Sequence, residues 1–477
     1  MVVKGKLIGR KRECAELQRV MDSDRSEFVI VYGRRRVGKT FLVDRFFDGK
    51  YDFTFVGGHK LTRRRQLNSF ARALKKASGH DIGSFADWFE AFDALSDYLE
   101  ALESDRKKVV FIDEMPWIDT QKSDFVAALE NFWNGWAARR SDIVFIASGS
   151  ATSWMVDNLV ENQGGLHARI TCSIYVRPFT LGETEEYLRS RHCRWDRYQI
   201  LQCYMTFGGI PFYLSLLNCR DSLVQNIDNL LFARGGVLRY EFDELYNALF
   251  SNAELYVNVV KTLAAHHCGM TRSQIAKAVE VDGGTLTRVL ANLERCDFVS
   301  RSANFGNRAK DMIYRVVDFY TLFYLRFISG NVSGDEHWWT NNFESRQVST
   351  WQGLTFEIVG LTHVPMIKRA LGIGGVATSV SAWHKAADST SAGAQIDLII
   401  QRADRIVHLC EMKFSKAPYS LTADYQQTLL NRLDIFTSAT KTALTPVYTF
   451  ITPYGVSNAA QYSFVHSQVT MDELFEG

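Results

Sequence analysis

The stretch FVIVYGRRRVGKTFLVDRFF, Phe28–Phe47, joins an apolar strand to an amphipathic helix through a glycine-containing turn. Residues Glu27–Tyr32 are β-branched or aromatic and bounded by polar residues, which is typical of a short buried parallel strand. The residues after the turn, FLVDRFF, favour a helix. The turn itself, Gly33–Thr40, matches G-x-x-x-x-G-K-[ST] and stands in the strand–turn–helix context that this motif requires.

This turn predicts a phosphate-binding loop. Gly33 and Gly38 let the backbone curl so that successive N–H groups point at phosphate, and the helix N-terminus adds partial positive charge. Lys39 is expected to reach the β- and γ-phosphates, and Thr40 to supply a hydroxyl to Mg²⁺. The nucleotide-binding residues expected here are Gly33, Arg34, Arg35, Arg36, Val37, Gly38, Lys39 and Thr40. For the three arginines, contact with phosphate, contact with a neighbouring subunit and simple solvation all stay open.

A second apolar strand, Val109–Ile112, ends in two acids. Asp113 is expected to hold Mg²⁺ through water, and Glu114 to polarise the attacking water. The alternative is a strand capped by two solvated carboxylates. The occurrence of both signals in one chain favours nucleotide hydrolysis.

A third apolar strand, Asp142–Ser150, ends in Ser148 and Ser150. At the carboxyl end of a strand in a doubly wound sheet, such a serine can sense the γ-phosphate. An ordinary helix N-cap serine explains either residue equally well.

Composition sets wide limits on function. The chain has 477 residues, 46% hydrophobic and 23% charged, with a formal net charge of +2. This length suggests three or four folding units, and the charge argues against a wholly basic nucleic-acid coat. The eight cysteines form no CxxC pair and indicate reduced thiols in a cytoplasmic protein, and no apolar run is long enough to predict a membrane span.

Several motifs occur in a characteristic order. They are LIGRKRECAEL from Leu7, the glycine–lysine turn, VVFIDEMPW from Val109, the SGS strand end, HARIT from His167 and FGGIPFYL from Phe207. Together they resemble the archaeal-type ATPase family within the AAA+/STAND group of P-loop ATPases. The resemblance implies ATP and Mg²⁺ as cofactors, an adenine-proximal element at Ile8, Gly9 and Arg10, and a lid turn at GGIP.

The same resemblance places an arginine finger or sensor at Arg169. This chain has Ala168-Arg169 where the family typically has Gly-Arg. A surface arginine at the entry to a strand is the alternative. An arginine that acts in trans implies a homo-oligomer.

The middle of the chain predicts two helical modules. Residues 181–250 have leucine and aromatic spacing typical of an all-α lid. Residues 251–330 then show three helical patterns and a returning strand, the layout of a winged helix-turn-helix. Outward-facing residues are expected on the third helix and on the wing: Thr285, Thr287, Arg288, Asn292, Arg301, Arg308 and Lys310. DNA binding and an inert spacer both remain open, because the same region carries Glu294 and Asp297.

The C-terminal part, residues 335–477, predicts a second chemical site. Asp397 lies on one strand of a predicted hairpin, and Glu411 and Lys413 lie two residues apart on the other, so they face the same way. Two carboxylates and a lysine can hold Mg²⁺ and position water for phosphodiester attack. With Glu357 on an upstream helix, the pattern resembles the PD-(D/E)xK nuclease superfamily, which implies a metal site at Asp397 and Glu411. An inert site is the alternative.

These inferences combine into one expected architecture: an α/β multidomain protein. Its expected parts are a P-loop AAA+-like parallel sheet over residues 1–180, a helical lid over 181–250, a winged helix-turn-helix over 251–330 and an α/β restriction-endonuclease-like domain over 335–477. The expected function is Mg²⁺-dependent ATP hydrolysis that controls a DNA-acting nuclease-like tail. The alternative is a nucleotide-dependent switch that binds DNA or a protein partner and cuts nothing. A helper ATPase for a mobile element or defence system has the same residues.

Overall fold

The computed structural model describes residues 7–120, 123–150, 152–161, 165–166, 168–250, 252–306, 312–331, 333–387, 393–457 and 464–476. The chain divides into two compact units, one up to Arg177 and one from Pro178 onward. The predicted division into four domains stays a prediction.

The first unit is built on a parallel sheet. Its five described strands are β1 (Glu27–Tyr32), β2 (Phe53–Val56), β3 (Lys108–Asp113), β4 (Ile143–Gly149) and β5 (Cys172–Tyr175). They lie in the order β2-β3-β4-β1-β5, and all neighbours are parallel. Strand β4 lies between β3 and β1, and all three strands are parallel. Their carboxyl ends therefore meet at one edge of the sheet, where ligands bind in such sheets.

Helices cover this sheet. They are α1 (Lys11–Asp22), α2 (Lys39–Phe46), α3 (Arg63–Ser78), α4 (Trp88–Ala101), α5 (Phe125–Gly135) and α6 (Thr152–Met155), the last continuing as a π-helical turn over Val156–Val160. Strands β1, β3 and β4 are buried almost throughout, as expected for a parallel sheet with covered faces. An aromatic-rich core that includes Phe28, Phe92 and Phe145 fills one side. The predicted α/β parallel sheet is confirmed.

The second unit begins with an all-helical segment, as the leucine spacing predicts. Its helices are α7 (Leu181–Ser190), α8 (Arg197–Phe207), α9 (Pro211–Ser215), α10 (Leu223–Ile227) and α11 (Glu241–Leu249). Three of them start with capping boxes, Thr180 with Glu183, Asp196 with Gln199 and Ser222 with Gln225.

Three helices and three strands then follow. They are α12 (Ala253–Ala264), β6 (Met270–Thr271), α13 (Arg272–Val279), α14 (Gly283–Arg295), β7 (Val299–Asn304) and β8 (Ile313–Val316). The three helices and the strands after the third helix follow the predicted order, whereas the short strand Met270–Thr271 was not predicted. Thr271 caps α13, as expected, and Asp282 caps α14. Arg308 and Lys310 lie outside the described residues.

The remaining helices and strands form the C-terminal part. The helices are α15 (Phe319–Phe323), extended by a π-helical turn over Tyr324–Ile328, α16 (Trp338–Asn342), α17 (Arg346–Thr362), α18 (Val364–Ala370), α19 (Ala423–Thr440) and α20 (Met471–Phe475). The strands are β9 (Thr378–Lys385), β10 (Ala394–Arg402), β11 (Ile406–Met412), β12 (Thr445–Thr452) and β13 (Val465–Thr470). The aromatic run after β8 packs Phe323 and Phe327 against Trp339 and Trp351, with ring centroids 5.0–5.3 Å apart, so it belongs to the core.

One sheet runs through both of these parts. Its eight described strands lie in the order β13-β12-β11-β10-β9-β7-β8-β6. The join is a short parallel pairing of β7 with β9, in which Ala303 opposes Ser381 and Asn304 opposes Ala382. The residues that the model describes include no helix long and apolar enough to cross a membrane.

Candidate functional site

The glycine–lysine turn has the backbone that the motif requires. Gly33 has φ +145°, and a Cβ there would lie 2.4 Å from the carbonyl oxygen of Val176, so only glycine fits. Gly38 has φ +88° at the N-terminus of α2. The loop therefore packs closely against the residue after β5, and α2 begins directly at Lys39.

Lys39 is buried, and its ammonium group is held by three oxygens. Nζ donates to the carbonyls of Gly33 and Arg34 at 3.1 Å each, and to Ser150 Oγ at 3.0 Å. These partners place the positive charge across the mouth of the loop, between the ends of β1 and β4. A phosphate group that enters the loop meets this charge directly.

The carboxylate of Asp113 lies beside the helix start. Thr40 Oγ1 donates to Asp113 Oδ2 at 2.7 Å, and Ser148 donates to the other oxygen, Oδ1. A threonine hydroxyl and a carboxylate side by side are hard oxygen ligands of the kind Mg²⁺ takes next to phosphates. The donor set therefore fits Mg²⁺, and Ser148 orients the carboxylate rather than standing apart as a helix cap.

Glu114 follows with an unusual backbone, φ +48°. Its Oε1 accepts from Ser150 Oγ at 2.8 Å and its Oε2 from the Ser150 N–H at 3.2 Å. Ser150 thus connects Glu114 to Lys39. The sequence suggested that Ser148 or Ser150 senses the phosphate and did not distinguish between them. In the structure Ser148 contacts Asp113, whereas Ser150 contacts Lys39 and Glu114.

Arg10 also belongs to the candidate site, beside the phosphate loop. It is 4% exposed, and its guanidinium donates to the carbonyls of Val37 at 3.0 Å and Arg177 at 2.6 Å. It therefore ties the predicted adenine-proximal element to the phosphate loop. Arg34 is buried, whereas Arg35 and Arg36 are half-buried.

Arg169 is not brought to the loop within its own chain. It is exposed, and its described contact is a backbone one, N–H to the carbonyl of Leu166 at 3.0 Å. Ala168 adopts φ +58°, a conformation that the family's glycine adopts at no cost.

In the second unit, Glu411 is the centre of the tail cluster. Lys413 Nζ lies 2.8 Å from Glu411 Oε1, and Arg432 Nη1 lies 2.6 Å from Oε2. The Tyr425 hydroxyl also donates to Glu411. Burial opposes ionisation of Glu411, yet Lys413 and Arg432 hold its pKa below the usual range. Lys413 and Glu411 project together as predicted, although β11 itself ends at Met412.

Asp397 is also paired with a cation. Arg315 of β8 places Nη2 2.8 Å from Asp397 Oδ1, and Gln395 donates to the same oxygen at 2.6 Å. Asp397 lies inside β10 rather than at its start, since the strand begins at Ala394. Arg315 and Arg432 were not predicted as site residues, because each lies far along the chain from the carboxylate that it contacts.

Glu357 on α17 completes the cluster. Burial, reinforced by the negative charge of Asp397, raises its pKa to about 8, against the lowering effect of Lys413. The four predicted residues therefore come together. In the described part of the chain, however, no group of three or more carboxylate, imidazole or thiol side chains is placed to hold a metal ion. Cationic side chains contact both carboxylate oxygens of Glu411 and one carboxylate oxygen of Asp397, so Glu411 does not fit Mg²⁺ in this arrangement.

The residues predicted to face outward from the third helix and the wing differ in their exposure. Thr287 and Arg288 are exposed on α14. The prediction for Asn292 is wrong: it is half-buried and donates to the Tyr256 hydroxyl of α12 at 2.8 Å. Arg301 is paired with Glu294 at 2.8 Å, so the acid noted in the sequence offsets a wing arginine.

Several known proteins are similar to part of this chain. An uncharacterized protein of Methanocaldococcus jannaschii is 23% identical over 337 residues, covering 69% of this chain and 70% of that protein. An uncharacterized ATP-binding protein of the same organism is 42% identical over 43 residues, which are 9% of this chain and 73% of that protein. The solved Walker-type ATPase of Pyrococcus abyssi is 16% identical with a TM-score of 0.48, covering 67% of this chain and 96% of that one.

A family model described as an ATPase domain predominantly from Archaea matches residues 7–217. The match includes every residue of the phosphate loop, Asp113, Glu114 and both serines. Residues 7–217 are therefore similar to ATPase domains that occur predominantly in Archaea.

Proposed function

We propose that the chain is an ATP hydrolase whose nucleotide state controls a DNA-acting C-terminal part. The observation that carries the first half is the chain of contacts from Lys39 through Ser150 to Glu114, beside the Thr40–Asp113 pair. These contacts gather a phosphate-binding cation, a carboxylate for proton transfer and a metal-binding pair at one edge of the sheet.

Each residue has a role that follows from its position. The loop N–H groups and Lys39 bind the phosphates and neutralise their charge. Thr40 and Asp113 would hold Mg²⁺, which supplies charge neutralisation at the phosphates when bound. Glu114 orients a water and accepts its proton, and Ser150 keeps the Glu114 carboxylate directed toward Lys39.

Arg169 fits an oligomeric version of this mechanism. Arg169 is exposed and has no side-chain partner among the described residues, and such an arginine can complete the site of a second copy, as arginine fingers do. We therefore include a homo-oligomer in the proposal, with Arg169 stabilising transition-state charge in trans.

The test of the hydrolase assignment is phosphate release by the purified full chain with Mg²⁺ and ATP. Lys39→Ala is expected to abolish turnover, because the phosphates lose their buried cation. Lys50→Ala, a lysine just past α2 whose side chain pairs with Asp48 on the surface, is the matched control. Turnover by Lys39→Ala at the wild-type rate would rule out the loop as the catalytic site.

The DNA-acting part of the proposal has two supports. The α12–β8 segment has the element order of a winged helix-turn-helix, and Glu357, Asp397, Glu411 and Lys413 converge as in nuclease-like sites. DNA binding through such a module depends on salt, because bound cations are released from phosphates. Affinity that ignores salt would argue against phosphate contacts.

A second candidate function is a switch that binds DNA or a protein partner without cutting. The observation that favours it is the pairing of Asp397 with Arg315 and of Glu411 with Lys413 and Arg432. A carboxylate held this way is not available to a metal ion, so the arrangement described here does not support cleavage.

Cleavage assays decide between the two candidates. Supercoiled and linear DNA are incubated with Mg²⁺ or Mn²⁺, with and without ATP, using wild type, Asp397→Asn and Lys413→Gln. The matched control is Lys416→Gln, a nearby lysine that pairs only with Glu344 on the surface. Cleavage lost in both site variants but kept in the control supports a nuclease. No cleavage by folded, ATP-hydrolysing wild type supports the non-cutting switch.

A further inference from the structure

We propose that a cavity beside the tail cluster binds a nucleoside phosphate, presented either by a nucleic-acid strand or as a free nucleotide. The cavity has a volume of about 490 Å³, within the usual range for ligand pockets. Its walls come from the end of α12, β8, residues 322–329 and α17, all in the second unit. The inference rests on the proposed action of this unit on DNA.

The cavity wall is strongly cationic. Positive or imidazole side chains line it from three elements, and Glu357 is the one carboxylate among the lining residues. These side chains are Lys261, His266, His267, Arg315 and Arg326. Neither Lys261 nor Arg326 pairs with a carboxylate anywhere in the described ranges. Burial, and to a lesser degree the positive charges of Arg326 and His266, holds the pKa of His267 below its usual range. An anionic ligand would neutralise the charges of Lys261 and Arg326 on this wall.

The rest of the wall suits a base. Leu322, Leu325 and Leu354 are apolar, and Trp351 presents a large aromatic side chain that is 6% exposed. The Trp351 indole N–H is buried and has no acceptor within the described structure. A nucleoside offers what both features need, since its base packs on apolar and aromatic surface and its oxygens accept hydrogen bonds.

Arg315 connects the cavity to the tail cluster. It lines the cavity and also contacts Asp397 at 2.8 Å, while Glu357 lines the cavity and belongs to the cluster. A phosphate bound by Lys261, Arg326 and Arg315 therefore lies next to the proposed phosphodiester site. A base inside a duplex must leave its stack to enter such a cavity, so single strands and strand ends are the preferred form of nucleic acid.

The experiment measures binding of a fluorescently labelled oligothymidylate to the full chain by anisotropy, at several salt concentrations, without ATP. The test variant is Lys261→Gln/Arg326→Gln, in which both exposed cations become neutral. Its affinity is expected to fall on the order of tenfold for each lost charged contact. The slope of log affinity against log salt concentration is expected to decrease in magnitude by about one for each side chain that is neutralised. Arg346→Gln, an exposed arginine on α17 that does not line the cavity, is the matched control.

Two further arms make the result decisive. Thymidine monophosphate, titrated by calorimetry, distinguishes a free nucleotide from a strand as the source of the phosphate. Arg326→Gln alone, with its unfolding midpoint measured, keeps the test valid if the double variant does not fold. Wild-type affinity and salt slope in the folded variants, or no binding of either probe to wild type, overturns the proposal. Binding that is lost in the variants while wild type cleaves no DNA leaves this inference standing and removes only the nuclease assignment.

Discussion

Glu114 has a strained backbone conformation that directs its side chain into the candidate site. Its φ of +48° is a left-handed conformation that costs a non-glycine residue about 1–2 kcal/mol. The conformation turns the side chain at the end of β3 toward Ser150, with which it makes two hydrogen bonds. Strain of this kind persists where the surroundings fix it, and it clusters at functional sites.

Glu114→Gln is expected to separate binding from hydrolysis. Glutamine keeps the shape and one acceptor for Ser150 but cannot accept a proton from water, so hydrolysis should fall by about 10²- to 10⁴-fold. ATP affinity should change little, because Lys39 and the loop remain. Phosphate release and calorimetric ATP binding measure the two effects. A hydrolysis rate within twofold of wild type would show that Glu114 is not the base.

Ser150→Ala tests the connection between Lys39 and Glu114. The substitution removes a hydroxyl that accepts from Lys39 at 3.0 Å and donates to Glu114 at 2.8 Å. Loss of hydrogen bonds to charged groups corresponds to a decrease in ATP turnover of roughly tenfold or more. Ser173→Ala, at an exposed position of β5, is the control and should retain full turnover. Equal rates in both variants would mean that the connection plays no part in hydrolysis.

At the scale of elements, local sequence predicts what depends on neighbours along the chain. The strand–turn–helix at Gly33 and the hairpin of β10 and β11 follow from apolar patterning and turn residues, and both are present. Arg315 and Arg432 could not be predicted, because nothing in the local sequence indicates their contacts. Arg315 contacts Asp397 from β8, and Arg432 contacts Glu411 from α19, the helix that follows β11. Asn292 was misassigned because a helical face alone does not reveal the Tyr256 hydroxyl on the facing helix.

His363 forms hydrogen bonds with both α17 and the start of α7, and its burial predicts that stability depends on pH. Its Nδ1 donates to the Val359 carbonyl at 2.9 Å, and its Nε2 accepts from the Leu181 N–H at 3.2 Å. Burial lowers its pKa to about 4 from 6.5. Below pH 6.5 the unfolded chain therefore binds a proton on this imidazole that the folded chain does not bind. The free energy of unfolding decreases as pH falls from 6.5 toward 4, by at most about 3 kcal/mol.

The measurement is the free energy of unfolding in urea at pH 7 and pH 4.5. His363→Gln should be less stable than wild type at pH 7 and should lose less stability on acidification. His384→Gln, at an exposed histidine, should keep the wild-type dependence on pH. If His363→Gln loses as much stability as wild type on acidification, His363 is not the titrating group.

At the scale of the whole molecule, the second unit is more continuous than the three separate domains predicted for it would be. The pairing of β7 with β9 joins the predicted wing to the C-terminal sheet, and the Arg315–Asp397 pair reinforces the same join. The sequence does not reveal that Ala303 and Asn304 pair with β9, because neither residue belongs to a strongly patterned strand. The tail cluster is therefore built from both parts of the second unit.

The proposed control of this unit by nucleotide makes a prediction for the full chain. ATPγS with Mg²⁺ stabilises whatever it binds, so amide hydrogen exchange should slow around Gly33–Thr40 and at the ends of β3 and β4. If the nucleotide state reaches the tail, exchange should also change in β8, α17 and β10, which surround Arg315 and Asp397. Lys39→Ala should abolish both changes. Protection confined to the first unit would contradict nucleotide control of the tail while leaving the hydrolase intact, because a ligand shifts only equilibria in which it binds the two states differently.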